Sequence, residues 1–303
     1  MSTIKIMALG GVRENGKNLY VAEVNEHIFV LDAGAKYPEN EQLGVDIVVP
    51  NFEYLEENKH RVAGIFLSHG HADAIGALPY LLEKVKVPVF GSHLTIELVK
   101  LLVKNNNATK KFNDFHVINE KTEIDFGDSV VSFFQTTHSI PESLGVVIKT
   151  DQGNIVYTGD FKFDQAADKF YKTDFSRLAE IGNEGVLALL SDSANADSNE
   201  QGASMHEARE EILNTIADWD GRIIVAAVAS NIVRIQQIFD AAEKTGRRIV
   251  LTGHDVENIV RTAIQLKKLH LVSEKLLVKP KDIAKYEDHE LIILETGRMG
   301  EPL

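Results

Sequence analysis

The 303-residue sequence contains no cysteine, which excludes a disulfide framework and a thiolate zinc site. Any metal ion must therefore be bound by nitrogen and oxygen, which 11 His and 45 Asp plus Glu supply in quantity. The sequence also has no positively charged leader before the apolar stretch 4–9 and no apolar run of ~20 residues. These absences disfavour export and membrane insertion. We therefore expect a cytoplasmic protein with no membrane partner.

Positive charge is scarce overall, and the net charge of −13 argues against nucleic acid as a partner. Residues 222–285 are the exception, with 12 Lys plus Arg against 6 Asp plus Glu. A basic segment on an acidic body suits a surface that follows a phosphate backbone, with Arg234, Lys267 and Lys268 as candidate contacts. The alternative is that these charges belong to a solvated helix face.

The first part of the sequence is typical of strands and turns. Residues 19–24 and 27–32 predict a hairpin, and the apolar run 62–67 predicts a strand buried on both faces. An apolar stripe over 74–83 predicts a helix. Further strands are expected at 87–90, 130–135, 144–149 and 154–157.

The second part alternates helix patterns at 204–217, 232–243 and 256–266 with apolar runs at 223–228 and 249–251. This alternation predicts a partly parallel sheet. The stretch 191–202 is poor in apolar residues and marks a boundary, so we expect one domain at 1–203 and a second at 204–303. The second pattern stops without a closing element, which suggests that this domain is incomplete.

Three pieces of the sequence predict a metal site. His69, His71 and Asp73 alternate directly after the buried strand, His138 follows the strand at 130–135, and Asp160 follows the strand at 154–157. Alternate residues of an extended segment point the same way, so these side chains can converge. Imidazole with carboxylate suits Zn²⁺ or Mn²⁺, and a carboxylate can bridge two ions. A single histidine of this kind is more often structural, and only the conjunction favours a metal.

At this point the sequence resembles a known family. His69-Gly70-His71-Ala72-Asp73-Ala74 resembles the metallo-β-lactamase signature His-x-His-x-Asp-His. The stretches that resemble bacterial ribonuclease J are 10–12, 32–34, 75–80, 136–141 and 157–164, and those that resemble the start of its β-CASP domain are 189–193 and 229–237. The resemblance implies an α/β fold: a metallo-β-lactamase αββα sandwich followed by part of a β-CASP α/β domain.

The resemblance also implies residue roles. His69, His71 and His138 would hold a first Mn²⁺ or Zn²⁺ ion, Asp160 would bridge two ions, and Asp73 would be catalytic as a ligand of the second. A water activated between the two ions would attack the RNA phosphodiester. Asp192 matches a carboxylate that orients a metal-binding histidine, although a loop cap explains it nearly as well.

Position 74 departs from the family pattern, because it is Ala where the family has a second-metal histidine. We therefore expect the first site to fill before the second. Such a departure resembles the less active of two ribonuclease J paralogues, which forms a homo-oligomer or a complex with its active partner.

Two function classes follow. One is a weak RNA-processing and RNA-decay nuclease of rRNA and mRNA, 5′-to-3′ exonucleolytic with endonucleolytic cleavage left open, acting on 5′-monophosphorylated RNA. The other is a non-catalytic RNA-binding subunit. A thioester or lactam hydrolase is disfavoured by the basic segment. The Gly-rich stretch 10–16 lacks P-loop and dinucleotide spacing and predicts a tight turn.

Overall fold

The computed structural model describes residues 1–38, 43–164, 167, 171–198, 204–253 and 255–296. The chain divides into two compact units. The first comprises Met1–His138, Glu142–Phe163 and Tyr171–Ser198, and the second comprises Ser139–Pro141, Asp164–Phe170 and Asn199–Leu303. The predicted boundary between 203 and 204 falls at residues 199–203, which lie outside the described ranges, and it stays a prediction.

The first unit contains a six-stranded sheet whose strands stand in sequence order. They are β1 Ile4–Gly10, β2 Leu19–Val24, β3 His27–Leu31, β4 Val62–Phe66, β5 Val89–Gly91 and β6 Phe115–Val117. Strands β1 to β3 pair antiparallel, and β3 to β6 pair parallel. The predicted hairpin is confirmed, with Asn25 at a φ of 51° in its turn. The predicted buried strand is confirmed as β4.

A five-stranded sheet completes the first unit, in the order β11-β10-β9-β8-β7. Its strands are β7 Glu123–Asp125, β8 Val130–Gln135, β9 Leu144–Thr150, β10 Gly153–Tyr157 and β11 Val186–Leu190. The sheet is antiparallel except for the parallel pair β10 and β11. Three of these strands were expected from the sequence, at 130–135, 144–149 and 154–157.

The two sheets pack face to face. Phe29 and Phe66 of the six-stranded sheet share one core with Phe133 and Val146 of the five-stranded sheet. The helices of this unit are α1 Glu53–Glu57, α2 Ala72–Ile75, α3 Leu78–Lys84, α4 His93–Asn105 and α5 Phe175–Glu184, with a 3₁₀ turn at Lys59–Arg61. Helix α4 packs on β5 and β6, and α5 packs on β10. This arrangement is the αββα sandwich.

The helix predicted over 74–83 is in fact two helices, α2 and α3, separated at Gly76 and Ala77. The amide of Ala77 donates to the carbonyl of Ala33 at 2.8 Å and not to a helical partner. Pro79 has no amide hydrogen, so it fits the first turn of a new helix better than the interior of a long one. The break allows α2 to stay against residues 33–35.

The second unit contains a parallel four-stranded sheet in the order β12-β15-β13-β14. Its strands are β12 Ile223–Ala226, β13 Arg248–Thr252, β14 Leu277–Val278 and β15 Leu291–Glu295. Its helices are α6 Met205–Ala217, α7 Ile232–Thr245 and α8 Val256–Gln265, with 3₁₀ turns at Glu274–Leu276, Pro280–Lys285 and Asp288–Glu290. The predicted alternation is confirmed, and the sheet is parallel throughout. No helix within the described ranges has the length and apolar character that crossing a bilayer requires.

Candidate metal centre

The loop from β4 to α2 carries His69 and His71, whereas Asp73 lies in the first turn of α2 and not on the extended segment that the sequence predicts. The backbone fixes this part of the chain. The amide of Asn18 donates to the carbonyl of Asp73 at 3.0 Å, and the amide of Ala35 donates to the carbonyl of Ala72 at 2.9 Å. A Cβ atom at Gly34 would lie only 1.4 Å from the carbonyl oxygen of Asp73, so this close packing requires glycine. The loop is therefore held in one position on the first unit.

The structure brings the three predicted histidines together. The ring centroids of His69, His71 and His138 lie 4.7, 4.9 and 5.0 Å apart in pairs. One nitrogen from each ring lies within 4.8 Å of the other two. Nε2 of His138 is buried without a hydrogen-bond partner, and Nε2 of His69 is buried with an ion-pair contact to Asp73 Oδ1 at 3.5 Å but no contact of hydrogen-bond geometry. Buried polar atoms are nearly always paired, so these nitrogens fit a cation that would accept their lone pairs.

Two carboxylates complete the cluster. Ligand atoms of His69, Asp73 and Asp160 also lie within 4.8 Å of one another, and Oδ1 of Asp73 is buried 3.5 Å from Nε2 of His69. Asp160 follows β10 through Gly159, which has a φ of +58°. A Cβ atom there would lie 2.6 Å from Cβ of Ser68, so glycine lets the two loops touch. All five predicted ligands therefore belong to one cluster in the first unit.

The histidines of the cluster differ in charge. Burial and the positive charge of His69 lower the pKa of His71 to about 3, and the same causes hold the pKa of His138 well below its ordinary value. Burial alone would also lower the pKa of His69, but the negative charges of Asp73 and Asp160 outweigh it and raise that pKa to about 9. Without a metal ion, His69 therefore carries the positive charge of the cluster.

The two carboxylates are shifted in opposite directions. Burial raises the pKa of Asp160 to about 7, opposed by the charge of His69 and reinforced by that of Asp73. Burial acts against ionisation of Asp73 too, but the ion-pair contact with His69 and the positive charge of that ring keep the pKa of Asp73 below the ordinary value. The five side chains of the cluster together therefore carry few protons. A divalent cation that binds them would displace these protons.

A residue without an assigned role in the sequence, Asp32, supports this cluster. It is fully buried, and its Oδ2 accepts hydrogen bonds from the hydroxyls of Ser68 at 2.7 Å and Tyr157 at 2.6 Å. Because the Ser68 hydroxyl donates to Asp32, it accepts from Nδ1 of His69, which lies 2.9 Å away. A proton on Nδ1 leaves the Nε2 lone pair of a neutral His69 directed into the cluster. The sequence signal was only an acidic residue at the end of a strand.

Asp192 caps a loop, which is the second of the two interpretations that its sequence position allowed. Its carboxylate accepts hydrogen bonds from the backbone amides of Ala194 at 2.7 Å and Phe161 at 3.4 Å. Its own amide donates to Thr158 Oγ1 at 3.1 Å. The role of orienting a histidine stays a prediction for Asp192. The carboxylate that reaches a histidine through a hydroxyl is Asp32.

A cleft of about 740 Å³ lies beside Asp160. Its walls are the turn at 11–15 and the loop at 189–195, with Tyr157 at its side. The turn is the tight connection that the sequence predicts between β1 and β2, with left-handed φ values at Gly11 and Gly16. Tyr20 fixes it by donating its hydroxyl to the carbonyl of Gly11 at 2.9 Å. The cleft is large enough for a substrate group next to the cluster.

The predicted RNA contacts lie in the second unit. Arg234 is half-buried in the first turn of α7, whereas Lys267 is exposed and Lys268 half-buried just after α8. Other cations of the basic segment are paired with carboxylates of the same unit: Arg222 with Asp288, Arg261 with Glu257, and Lys285 with Asp282. These ion pairs neutralise part of the excess positive charge of residues 222–285. The RNA-contact role of Arg234, Lys267 and Lys268 stays a prediction.

Comparison with known proteins adds family evidence to this geometry. Residues 12–202 match the metallo-beta-lactamase superfamily, and residues 220–303 match the beta-CASP domain of ribonuclease J. Ribonuclease J 2 of Streptococcus pyogenes serotype M3 is 70% identical over 303 residues, covering 100% of this chain and 55% of the relative. Ribonuclease J2 of Bacillus subtilis is 45% identical over 300 residues, covering 99% of this chain and 54% of the relative.

The chain spans about half the length of these curated relatives. A crystal structure of a protein of unknown function from Enterococcus faecalis V583 matches with a TM-score of 0.67 and 15% identity. That match covers 97% of this chain and 77% of the other, and it supports the fold alone. The chain therefore belongs to the metallo-beta-lactamase superfamily and, within it, to the ribonuclease J family.

Proposed function

We propose that this chain is the catalytic part of a metal-dependent ribonuclease with weak intrinsic activity. The observation that carries the proposal is the buried cluster of His69, His71 and His138 beside the carboxylates of Asp73 and Asp160, with Nε2 of His138 buried and without a hydrogen-bond partner. Such a donor set suits Mn²⁺ or Zn²⁺. The relatives that share almost the whole chain are called ribonucleases, which supports RNA as the substrate class.

We assign each residue of the cluster a role in metal binding. His69, His71, His138 and Asp160 would hold a first ion, and Asp73 with a share of Asp160 would hold a second, which makes Asp73 the catalytic carboxylate. Bound ions in such a site activate water and neutralise charge on phosphorus. The Asp32–Ser68 pair keeps the Nε2 atom of His69 directed inward, and burial keeps His71 and His138 neutral so that each can donate a lone pair.

Weak activity is the finer part of the proposal, and it rests on Ala74. Its methyl group offers no lone pair at the position where the family signature has a histidine. The described donor group around Asp73 and Asp160 contains one imidazole, and that imidazole, His69, is shared with the three-histidine group. Nδ1 of His69 faces the Ser68 hydroxyl, so His69 has a single Nε2 lone pair to give, and the first ion would take it. A second site made of two carboxylates without an imidazole would hold its ion weakly and leave it largely hydrated.

The substrate that we propose is 5′-monophosphorylated RNA in rRNA processing and mRNA decay, cut 5′-to-3′, with internal cleavage left open. A second candidate is a non-catalytic RNA-binding subunit, in a homo-oligomer or in a complex with an active ribonuclease J paralogue. Ala74 favours this candidate too, because the missing ligand weakens the metal site without altering an RNA-binding surface. The two candidates differ in one measurable property, which is turnover at full metal loading.

The deciding experiment measures bound metal and RNA hydrolysis in the full-length protein at increasing Mn²⁺ concentrations. We expect slow hydrolysis of 5′-monophosphorylated RNA that EDTA abolishes. His138→Ala should lose both bound metal and hydrolysis. His116→Ala is the matched control, because His116 is exposed and pairs with Asp114, away from the cluster. Metal-loaded wild-type protein that binds RNA without hydrolysing it would instead establish the non-catalytic subunit.

A further inference from the structure

Three phenylalanines form a row that begins one residue after Asp160. The ring centroids of Phe161 and Phe163 lie 5.2 Å apart, and those of Phe163 and Phe175 lie 5.4 Å apart. Phe163 is 63% exposed and Phe175 is 48% exposed. Two neighbouring phenylalanines that are each about half exposed or more form an apolar patch that a partner could cover. The phenylalanine row (Phe161, Phe163, Phe175) is therefore a candidate binding surface.

The row is tied to the metal centre by backbone contacts. The amide of Lys162 donates to the carbonyl of Thr137 at 2.9 Å, and Thr137 directly precedes His138. The amide of Thr137 donates to Oγ1 of Thr173 at 3.1 Å, and the amide of Thr173 returns a 3.0 Å bond to Oγ1 of Thr137. Thr137 therefore makes hydrogen bonds to both segments that carry exposed rings, at Lys162 and at Thr173. The rings keep a fixed position relative to the histidine cluster.

The core of the fold does not explain this exposure. The core under α5 is formed by Phe134, Val147, Val156 and Ile181 of the same unit. Phe175 is the first residue of α5, just after its cap Asp174, and it points out of that core. Shortening Phe163 or Phe175 would therefore cost the folded state little, because neither ring fills a buried site. The exposed rings are better explained by a ligand than by stability.

We infer that the phenylalanine row stacks the bases of a single RNA strand whose backbone reaches the metal cluster. This inference rests on the proposed function and names the part of the protein that holds the strand. Aromatic rings stack on any base without reading its sequence, which suits a nuclease of broad specificity. Phe163 is three residues from Asp160, so its Cα lies within roughly 11 Å of the Asp160 Cα even if the chain is extended. That span suits a base about one or two nucleotides from the phosphate at the cluster.

The residues next to the rings include two lysines and also Asp164 and Asp174, whose carboxylates accept hydrogen bonds from backbone amides. Lys162 lies between two of the rings in sequence, and Lys172 precedes the third by three residues. Both lysines are exposed. Positive side chains interleaved with aromatic rings are the usual pattern of surfaces that bind single strands. An apolar peptide would gain nothing from these lysines, so RNA is the better partner.

The test is a binding measurement on the full-length protein in EDTA, where the proposed metal-dependent hydrolysis cannot proceed. The probe is a fluorescent, 5′-monophosphorylated single-stranded RNA and a set of copies that each lack one base near the 5′ end. In wild type, we expect removal of one or two adjacent bases to weaken binding about tenfold, since stacking on an aromatic ring has that size. Phe163→Ala should weaken binding of the intact RNA by a similar factor and make the same base removals neutral. Phe163→Trp should retain wild-type behaviour.

Two further variants complete the design. Phe175→Ala should act in the same direction as Phe163→Ala, which protects the test against a folding defect at one position. Tyr80→Ala is the matched control, because Tyr80 is an exposed aromatic of the same unit on α3 and should leave every affinity unchanged. Circular dichroism of each variant confirms the fold.

Three results would overturn the inference. The first is equal affinity of wild type and Phe163→Ala for intact RNA while hydrolysis with Mn²⁺ persists, which leaves the proposed function standing. The second is a change in self-association or in protein partners with no change in RNA affinity, which would show that a protein covers the row. The third is a wild-type protein that binds no RNA in EDTA or Mn²⁺, which would reject the proposed function as well.

Discussion

Asp32 accepts hydrogen bonds from both the backbone amide and the hydroxyl of Ser68, each at 2.7 Å. Asp32 is fully buried and has a φ of 62°, an uncommon conformation for a residue other than glycine. Such strain persists where surrounding contacts hold the residue in place. Here the contacts fix Ser68, and through its hydroxyl they fix Nδ1 of His69. The orientation of one candidate metal ligand therefore depends on a carboxylate that does not belong to the cluster.

Ser68→Ala should weaken metal binding without unfolding the protein. The substitution removes the hydroxyl that accepts from His69, so the imidazole can rotate or change tautomer. Loss of such a supporting hydrogen bond typically lowers metal affinity by about 10- to 100-fold. Competition with a chelator of known Mn²⁺ affinity measures the change. Ser92→Ala is the matched control, because Ser92 is equally buried but its hydroxyl contacts Thr95. Equal affinities in the two variants would show that Ser68 does not position His69.

Because of Glu23, we expect the free energy of unfolding of the first unit to depend on pH. Its carboxylate is buried and accepts from Nη2 of Arg61 at 2.6 Å, from Lys5 at 3.3 Å and from the hydroxyl of Tyr54. Burial acts to raise the pKa of Glu23, but these hydrogen bonds outweigh it and lower the pKa below its ordinary value of 4.5. A lowered pKa in the folded state adds stability above pH ~4.5 that is lost as the pH falls through the folded value.

Glu23→Gln should therefore lower the melting temperature by several degrees at pH 7, and the difference from wild type should shrink below pH ~4.5. Thermal unfolding across this pH range measures both effects. Glu26→Gln is the control, because Glu26 pairs with the same Arg61 at 3.4 Å but is almost fully exposed. If Glu23→Gln and wild type melt at the same temperature at pH 7, the buried carboxylate contributes nothing to stability.

The strands of the sandwich were predictable because most of them are compact apolar runs with clear ends. The order of the strands in the second unit was not. Strand β15 comes last in the chain but lies between β12 and β13, and that position depends on pairing across about 40 to 70 residues. Helix α4 was also missed, since its residues 94–103 are mostly apolar and rich in β-branched side chains, a composition that strands share.

The candidate site was more predictable than the fold, because its ligands sit at a spacing that few other structures need. All five predicted ligands lie in the cluster. His69, His138 and Asp160 each follow the end of a strand by three residues, and Asp73 lies in the first turn of α2. Asp32 was missed because its importance comes from complete burial and from contacts at positions 68 and 157, which are distant in sequence. The phenylalanine row was missed for a related reason. The sequence shows phenylalanines next to Asp160, but it does not show whether their rings are buried or exposed.

The basic segment gives a prediction about electrostatics. Changing Arg234, Lys267 and Lys268 together to Glu should weaken RNA binding about equally for all sequences. The slope of log affinity against log salt should flatten by about one unit for each phosphate that the variant no longer neutralises. The control carries the same charge change at the exposed residues Lys275, Lys279 and Lys281. If both triple variants bind RNA like wild type across salt concentrations, the segment is a solvated surface.

Ala74→His tests whether the missing ligand limits activity. The position is held by its backbone, since the amide of Ala33 donates to the carbonyl of Ala74 at 2.7 Å. The side chain is fully buried in α2, so an imidazole must displace neighbouring atoms. Ala74→Leu is therefore the matched control, because it adds comparable bulk without a lone pair. Both variants should melt somewhat below wild type, and by similar amounts.

Only Ala74→His should bind an additional equivalent of Mn²⁺, because only imidazole adds a donor beside Asp73 and Asp160. A second ion that is held firmly stabilises the charge that develops in the transition state, and each ~1.4 kcal/mol recovered corresponds to a factor of ten in rate. With full-length protein and 5′-monophosphorylated RNA, we expect at least about a tenfold gain in turnover over wild type, and none for Ala74→Leu. If Ala74→His binds the second ion while turnover stays at the wild-type level, the missing histidine is not what limits turnover. The non-catalytic subunit would then be the better description, since a repaired metal site would have no reaction to accelerate.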